Sequence, residues 1–350
     1  MPPSRQPPPG PRTPGAVRAV PQIGAEQIAS SPAWFPVDCP QGETVRLVRL
    51  DEADYRSASF LDQRLFQTDK PRARCAAAEL TSAARGWPAS AAYIFHIGHV
   101  GSTLISRLMG EAPGWFSIRE PALLRQAATG QLPAHLPLAT LLGLLSRTWR
   151  AEQRALIKAT SFVSELAETL LASTPDSRAL LVFTSAETYL RAIFAGPNSR
   201  IESQALAPTR LERLRRRIGG IDFRAPACEG ESIAMSWLCE ASALCQAAEK
   251  YPNRVGWLDF ERFLRDPLPT LAAGFATLGA EAHAPTLTTA LSGPLMRQYA
   301  KAPEHAYDPE LRRQVLAFAG QEHAREIQRG MSWLAELAGR HPLIERTLAL

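Results

Sequence analysis

Short apolar runs alternate with segments of helical periodicity from about residue 91 to residue 280. Such runs are typical of buried parallel strands, and five of them are AAYIFHI (91–97), WFSIRE (115–120), RALIKATS (154–161), SRALLVFTS (177–185) and RVGWLDFERFL (254–264). Between them, apolar residues recur three and four positions apart, as Leu104, Ile105, Leu108 and Met109 do. This alternation predicts an α/β fold, a three-layer α/β/α arrangement with a mostly parallel central sheet.

The ends of the chain differ from this central part. Residues 1–20 are rich in proline and have little to bury, which predicts a disordered tail. Residues 21–90 are expected to form an N-terminal extension packed on the main domain, with a strand at TVRLVRL (44–50) and a helix over 51–66. Residues 91–350 are then expected to form the main domain.

Serine, glycine and proline positions predict where helices begin and end. Ser161 and Ser185 each precede an apolar stripe of helical spacing and are expected to be N-caps. The helix after Ser185 should end at Gly196-Pro197, because that pair cannot continue it. Two further helices are expected over about 231–250 and within DPLPTLAAGFATLG (266–279), the latter with proline in its first turn.

Composition excludes several classes of protein. The net charge of +5 over 350 residues is modest, and there is no stripe of basic residues interleaved with aromatic ones, which argues against nucleic acid as a partner. The five cysteines form no CxxC pair, so we expect free thiols, a reducing compartment and no structural zinc. No apolar run is long enough for a membrane span or a signal peptide, so a cytoplasmic location is expected.

The segment GHVGST (Gly98–Thr103) follows an apolar strand and opens an amphipathic helix. Glycines allow main-chain N–H groups to converge on an anion, and Ser102 and Thr103 add hydroxyl donors where the helix dipole favours negative charge. A loop that binds a nucleoside triphosphate needs a lysine after its second glycine, and this loop has none. We therefore predict a site for one phosphate group rather than for a magnesium-bound triphosphate; an ordinary strand-to-helix turn is the alternative.

These residues resemble a known family, the PAPS-dependent sulfotransferases, in a bacterial branch of the P-loop sulfotransferases. The family's first loop reads approximately P-[KR]-[ST]-G-[ST]-[ST]-x-L, and GHVGSTLI fits that frame. RVGWLDFERFLRDPLPTLAAGFATLG (254–279) resembles a later family segment, YEDLLxDPxxTLxxxxxFLG. The resemblance spans roughly 92–280. It implies a P-loop-kinase-like fold and 3′-phosphoadenosine 5′-phosphosulfate (PAPS) as donor, without a metal.

The resemblance also implies which residues bind the donor. Gly98, His99, Val100, Gly101, Ser102 and Thr103 would surround the 5′-phosphate, with His99 in the place of the family's lysine or arginine. The family's 3′-phosphate site falls on TSAETYLRA (184–192), where Thr184 and Ala192 replace its arginine and serine. Ser185, Arg191 or the segment 198–200 could substitute. Lys301 is a candidate because the family often closes over the donor with a late basic loop.

Sulfuryl transfer requires a base for the acceptor proton and cations for the developing charge. Glu120, which ends WFSIRE beside the loop, is the expected base; otherwise it pairs with an arginine and holds the turn before Pro121. Lys158 lies inside an apolar strand, where an ammonium is costly unless it faces a ligand or a carboxylate. His99 would be the second cation.

The expected activity is transfer of a sulfuryl group from PAPS to a hydroxyl or amine of a small-molecule or carbohydrate acceptor. Two alternatives stay open: a P-loop phosphotransferase, and a non-catalytic nucleotide-binding protein with the same fold. The sequence does not identify the acceptor or the oligomeric state.

Overall fold

The computed structural model describes residues 20–40, 43–87, 89–281, 283–300 and 302–350, and for 302–305 it gives the backbone alone. The predicted disordered tail, apart from Val20, therefore lies outside the described residues. Lys301 also lies outside them.

The N-terminal part of the described chain contains a three-stranded antiparallel sheet, with β2 between β1 and β3. Its elements are α1 (Ala25–Ala29), β1 (Trp34–Asp38), β2 (Thr44–Arg49), α2 (Glu52–Ser57), β3 (Arg72–Ala76) and α3 (Ala77–Ala83). Val45 and Leu47 alternate along β2 and are fully buried, as the period of two requires. The predicted strand at 44–50 is confirmed.

The helix predicted over 51–66 is wrong in its second half. α2 ends at Ser57, and a short 3-10 turn follows at Gln63–Gln67. Between them, Leu61 donates its N–H to the carbonyl of Arg119 at 2.8 Å, while the Arg119 side chain donates Nε–H to the carbonyl of Ala58 at 2.7 Å. These contacts with a distant strand take the backbone groups that a continuing helix would use.

A five-stranded parallel sheet forms the centre of the molecule, in the order β5-β6-β4-β7-β8. The elements of this part are β4 (Ala91–His96), α4 (Ser102–Gly110), β5 (Trp115–Arg119), α5 (Ala122–Ala128), α6 (Leu138–Leu145), β6 (Arg154–Lys158), α7 (Ala167–Ser173), β7 (Ala179–Phe183), α8 (Ala186–Phe194), α9 (Pro197–Arg217), α10 (Glu229–Lys250), β8 (Val255–Asp259), α11 (Phe260–Arg265) and α12 (Pro267–Thr277). Every side chain of β4 is buried, as expected for a strand covered on both faces.

The last part of the chain adds helices and a short hairpin. Its elements are α13 (Ala284–Ser292), β9 (Gln298–Tyr299), β10 (Ala302–Ala306), α14 (Pro309–Glu322), α15 (Ala324–Leu337) and α16 (Pro342–Leu348). β9 and β10 pair antiparallel. The hairpin reaches the N-terminal part, since Ser59 donates its hydroxyl to the carbonyl of Ala300 at 3.2 Å.

Helices cover the central sheet on both faces, which gives the three-layer α/β fold that the sequence predicts. α4 and α12 contact each other and pack on the sheet, with Gly274 of α12 close to Leu180 and Leu258. α10, the helix expected over about 231–250, packs on β4 and β8 from the other side, where its Trp237 and Leu244 are buried. One apolar cluster extends from this core into the N-terminal part.

Of the two predicted N-caps, the structure confirms Ser185 and contradicts Ser161. Ser185 is the N-cap of α8, where its hydroxyl accepts the N–H of Thr188 at 3.3 Å. Ser161 is not an N-cap: a 3-10 turn covers Ser161–Leu166, and α7 begins at Ala167. Arg213 lies over the ring of Phe162 at 3.6 Å and holds its carbonyl at 2.9 Å. Tertiary contacts of this turn thus displace the helix start.

The strand predicted over 254–264 is shorter than expected. β8 ends at Asp259, whose carboxylate accepts the N–H of Glu261 at 2.9 Å and so begins α11. α12 follows with Pro267 in its first turn and Gly279 beyond its end, at φ 76°.

Candidate active site

The loop between β4 and α4 lies at the carboxyl edge of the central sheet. β4 is the middle strand: α4 leads from it towards β5 on one side, and β7 pairs with it on the other. Ligands of open parallel sheets bind at this edge, where successive connections diverge to opposite sides. The position of the loop therefore suits a binding site.

The loop has an unusual backbone. Gly98 and Gly101 have positive φ angles of 93° and 62°, and His99 has one of 54°. Phe260, the first residue of α11, packs directly on Gly101: a Cβ added to Gly101 would lie 2.0 Å from its ring. Glycine is therefore required at position 101 both by conformation and by space.

The loop presents donors without acceptors. Among the described residues, no hydrogen-bond acceptor lies against the main-chain N–H groups of Val100, Gly101, Ser102 and Thr103. The side chains of Ser102 and Thr103 are buried at the first turn of α4, and Thr103 Oγ1 has no hydrogen-bond partner. Buried polar groups normally have one. An anion at this position would satisfy these groups, so the loop fits an anion of the size of a phosphate group.

His96 holds the loop in place, and the sequence analysis missed it. Its Nδ1 accepts the N–H of Gly98 at 3.0 Å, which leaves Nε2 as the protonated nitrogen that donates to the carbonyl of Ala159 at 2.8 Å. His96 is 4% exposed. The sequence could have indicated this role, because His96 ends an apolar strand just before a glycine loop.

Glu120 and Lys158 meet at the ends of neighbouring strands β5 and β6. Lys158 Nζ donates a hydrogen bond to Glu120 Oε1, and the N–H of Glu120 donates to the carbonyl of Lys158 at 2.7 Å. The Lys158 side chain is fully buried and that of Glu120 is 14% exposed. The carboxylate thus faces both the buried ammonium and the open side of the site.

His99 and Glu120 share an unusual backbone conformation. They are the two non-glycine residues of the described chain with positive φ, at 54° and 52°. Backbone strain of this kind costs on the order of 1–3 kcal/mol and concentrates at functional sites. His99 Nδ1 lies 3.4 Å from the hydroxyl oxygen of Ser199, at the start of α9.

A cavity of about 650 Å³ opens beside these residues and is lined by both His99 and Glu120. Its walls come from the 3-10 turn at Gln63–Gln67, from α5, from the start of α9 and from Tyr299 of β9. Arg64 lies close to Glu120. The hydrogen bond that Arg64 donates to Asp62 is the largest cause that raises the pKa of Arg64, and the charge of Glu120 adds to it. The cavity has room for a small acceptor molecule.

Two residues predicted for the 3′-phosphate, Ser185 and Arg191, do not line this cavity. Ser185 is exposed, and its hydroxyl is engaged with Thr188 as an N-cap. Arg191 forms an ion pair with Glu187 one turn away and lies against Gly320 of α14. Lys301 lies outside the described residues, next to Tyr299–Ala300 of the hairpin. Their role at a 3′-phosphate stays a prediction.

A buried charged cluster adjoins Phe260, and sequence reasoning did not single it out. Arg312 of α14 is 5% exposed, donates to Glu261 at 2.6 Å and lies 5.3 Å from the centre of the Phe260 ring. Burial raises the pKa of Glu261, and the Arg312 guanidinium opposes that shift. Since Phe260 packs on Gly101, the cluster supports the loop from behind.

No protein-family model matches the chain, and no curated protein does. Among solved structures, the sulfotransferase domain from the curacin biosynthetic pathway is 14% identical, covering 71% of this chain and 98% of its own, with a TM-score of 0.41. The sulfotransferase domain from the olefin synthase of Synechococcus PCC 7002 is 13% identical, covering 64% and 82%, with a TM-score of 0.39. A sulfotransferase from Alicyclobacillus acidocaldarius is 14% identical, covering 69% and 97%, with a TM-score of 0.36. Similarity at this level assigns neither an activity nor residue roles to this chain.

Within the described residues, every helix is too short or too polar to cross a lipid bilayer.

Proposed function

We propose that this protein is a sulfotransferase that transfers a sulfuryl group from PAPS to a hydroxyl or amine of a small-molecule or carbohydrate acceptor. One observation carries the proposal: a glycine loop with unsatisfied donors and no lysine lies at the same sheet edge as the Glu120–Lys158 pair. The loop suits a single phosphate group, and the pair supplies a carboxylate and a cation where an acceptor can enter.

The donor's 5′-phosphate would bind to the N–H groups of residues 100–103 and to the hydroxyl of Thr103. Gly98 and Gly101 would allow the close approach of the backbone, and His99 would be the cation of the loop. Ser185, Arg191 and Lys301 are proposed for the 3′-phosphate. For Arg191 this requires its guanidinium to leave Glu187.

In the proposed reaction, the acceptor oxygen forms a bond to sulfur while the bond from sulfur to the bridging phosphate oxygen breaks. Glu120 takes the proton of the acceptor, and Lys158 and His99 stabilise the charge that develops on the sulfuryl and bridging oxygens. Adenosine 3′,5′-bisphosphate leaves as the second product. No residue in this scheme holds a metal.

The proposed catalytic unit is 91–350, and 21–90 is an extension that contributes Phe60, Asp62, Gln63 and Arg64 to the cavity wall. The cysteines Cys39, Cys75, Cys228, Cys239 and Cys245 are all free. Free thiols suit a reducing compartment, and we propose a cytoplasmic location in a bacterium.

Calorimetric titration of the full chain with adenosine 3′,5′-bisphosphate, AMP and Mg-ATP tests the donor. We expect the bisphosphate to bind at least tenfold more tightly than AMP, and Mg-ATP to bind no better than AMP. Tighter binding of Mg-ATP would instead favour a phosphotransferase. Tight binding of the bisphosphate without consumption of PAPS, over a broad acceptor panel, would favour a non-catalytic nucleotide-binding protein.

A further inference from the structure

We infer that the acceptor of this protein is an uncharged, polyhydroxylated molecule of the size of a mono- or disaccharide, bound in the cavity beside Glu120. This inference rests on the proposed function for its chemistry, but the binding that it predicts is measurable without the donor. Four observations on the cavity wall support it: its polarity, its paired charges, its unsatisfied neutral groups and one exposed aromatic ring.

The wall of the cavity is polar throughout. Small-ligand pockets are usually lined mainly by apolar and aromatic side chains with a few polar groups. Here the side chains other than Phe60, Ala122 and Tyr299 are all polar or charged. Four carboxamides, which both donate and accept hydrogen bonds, are included: Gln63, Gln126, Gln131 and Asn198. A flat apolar phenol or sterol would leave such groups without partners, at a cost of about 1–3 kcal/mol each when they are buried.

The charges of the wall are paired among themselves. Within the part of the chain that the structure describes, each carboxylate of the cavity faces a cation: Asp62 accepts from Arg64 Nε at 2.8 Å, Glu120 accepts from Lys158, and Glu202 lies 3.8 Å from Arg125. A site for a uronate or sulfated saccharide would offer cations in excess, as anion recognition requires. Arg64 and Arg125 of this wall are already engaged by these carboxylates, so the wall favours an uncharged ligand.

Two neutral polar atoms at the wall lack partners. Gln126 Oε1 on α5 and Thr160 Oγ1 after β6 are buried and make no hydrogen bond. Both residues line the cavity. Since native proteins leave few such atoms unsatisfied, we expect a ligand hydroxyl to reach them once the two side chains rotate towards the cavity. A hydroxyl is suited to both, because it donates and accepts at the same atom.

Tyr299 gives the cavity one amphipathic ring. It is 39% exposed, and its ring contacts Tyr307 edge-on at 5.3 Å. A ring held in this way leaves apolar surface for the C–H face of a sugar, while the amides take its hydroxyls. The cavity thus combines the ring of Tyr299, a wall of side chains that can bind hydroxyl groups, and the carboxylate of Glu120, which would take the acceptor proton.

The test measures binding and turnover separately on the full chain. Saturation-transfer NMR and isothermal titration would follow methyl α-glucoside, cellobiose and N,N′-diacetylchitobiose, with 2-naphthol and a uronate-containing disaccharide as competitors of other classes. We expect at least one neutral saccharide to bind tenfold more tightly than either competitor. Release of adenosine 3′,5′-bisphosphate from PAPS should show the same preference in kcat/KM.

Gln126→Leu is the diagnostic variant, and Gln321→Leu, at an exposed position of α14 outside the cavity, is its matched control. We expect Gln126→Leu to weaken saccharide binding at least fivefold without changing the affinity for adenosine 3′,5′-bisphosphate, and Gln321→Leu to change neither. If 2-naphthol or the uronate binds as well as the best neutral saccharide, or if no saccharide binds, the assignment is wrong. Saccharide binding without consumption of PAPS would leave the assignment standing and contradict the proposed function.

Discussion

Lys158 is the last residue of β6, and Glu120 directly follows the neighbouring parallel strand β5. The two form an ion pair in which the ammonium is fully buried and the carboxylate is 14% exposed. A buried charge is stable only with a well-placed partner. The asymmetry of exposure assigns different tasks to the two groups: the ammonium is fixed within the protein, and the carboxylate faces the cavity where a substrate can reach it.

The carboxylate of Glu120 should be needed for transfer and not for donor binding. Glu120→Gln keeps the size and the hydrogen-bond acceptor but cannot take a proton. We expect PAPS turnover to fall by about 10²–10⁴-fold, the usual contribution of a general base, while the affinity for adenosine 3′,5′-bisphosphate changes less than threefold. Steady-state kinetics and calorimetry measure the two quantities. Normal turnover by this variant would remove Glu120 from the mechanism.

Both members of this pair should contribute to stability, but the loss of Glu120 should cost more than the loss of Lys158. Glu120→Ala leaves the buried ammonium of Lys158 without this carboxylate, so we expect the free energy of unfolding to fall by about 3–5 kcal/mol. Lys158→Met removes the buried charge and leaves a carboxylate that water can reach, so its loss should be smaller. Urea denaturation of both variants measures the difference. An equal or larger loss for Lys158→Met would contradict this account.

Gly101 should tolerate no side chain. Gly101→Ala places a methyl group against the Phe260 ring and keeps a residue at φ 62°. Gly339→Ala is the matched control, because Gly339 has a φ of 72° and open space around it. We expect the control to lose about 1 kcal/mol of unfolding free energy, the ordinary penalty of a left-handed residue. Gly101→Ala should lose at least twice as much, as measured by denaturation.

The two alanine variants should also differ in function. Because Gly101→Ala should displace the loop that we propose for the phosphate, its affinity for adenosine 3′,5′-bisphosphate should fall at least tenfold. Gly339→Ala should leave that affinity unchanged. Equal affinities in the two variants would mean that the loop is not the donor site.

His96 should be a positioning residue for the loop. His96→Phe keeps a ring of similar size but loses the hydrogen bonds to Gly98 and Ala159, which should weaken binding of the bisphosphate about tenfold. His341→Phe is its control: His341 also accepts an N–H through Nδ1, from Leu343 at 3.1 Å, but at the start of α16. Calorimetry on both variants decides the point, since a purely structural role for His96 would alter stability and leave affinity intact.

Acid should destabilise the start of α10 through Glu231. Arg224 donates to this carboxylate at 2.6 and 3.1 Å, and the N–H of Ala227 donates at 2.6 Å. The bond from Arg224 is the largest cause that lowers the pKa of Glu231 below its ordinary value of 4.5. A carboxylate with a lowered folded pKa contributes stability above its unfolded pKa, and loses it as the pH falls through the folded value.

Glu231→Gln should therefore be less stable than the wild type by about 1–3 kcal/mol at pH 7, the range for a charged hydrogen bond. The difference should shrink as the pH falls below about 4.5. Denaturation curves at pH 7 and at pH 3.5 measure it, with the exposed Glu212→Gln as control. A difference that does not depend on pH would exclude the ionised carboxylate as its source.

Local patterns in the sequence were sufficient for the central architecture. Each of the five apolar runs contains one of the five parallel strands. The pattern is clearest in β4, because a strand covered on both faces must be apolar along its length, and that property is visible in six residues. Ser185 and Pro267 marked helix starts correctly for the same reason: an N-cap and a first-turn proline act through their nearest backbone neighbours. The glycine loop was recognisable from its order after a strand and before a helix.

Only the tertiary structure decided the features that depend on residues far apart in the chain. The helix expected over 51–66 ends early because backbone and side-chain groups of Arg119 take its carbonyl and N–H partners. The start of α7 moves from Ser161 to Ala167 because Arg213 holds the turn between them. Three other features also depend on distant residues or on the folded loop: the hydrogen bond between His96 and Gly98, the packing of Phe260 on Gly101, and the walls of the cavity. Each is a contact between elements, and the period of a local pattern carries no information about which distant side chain will fill a given space.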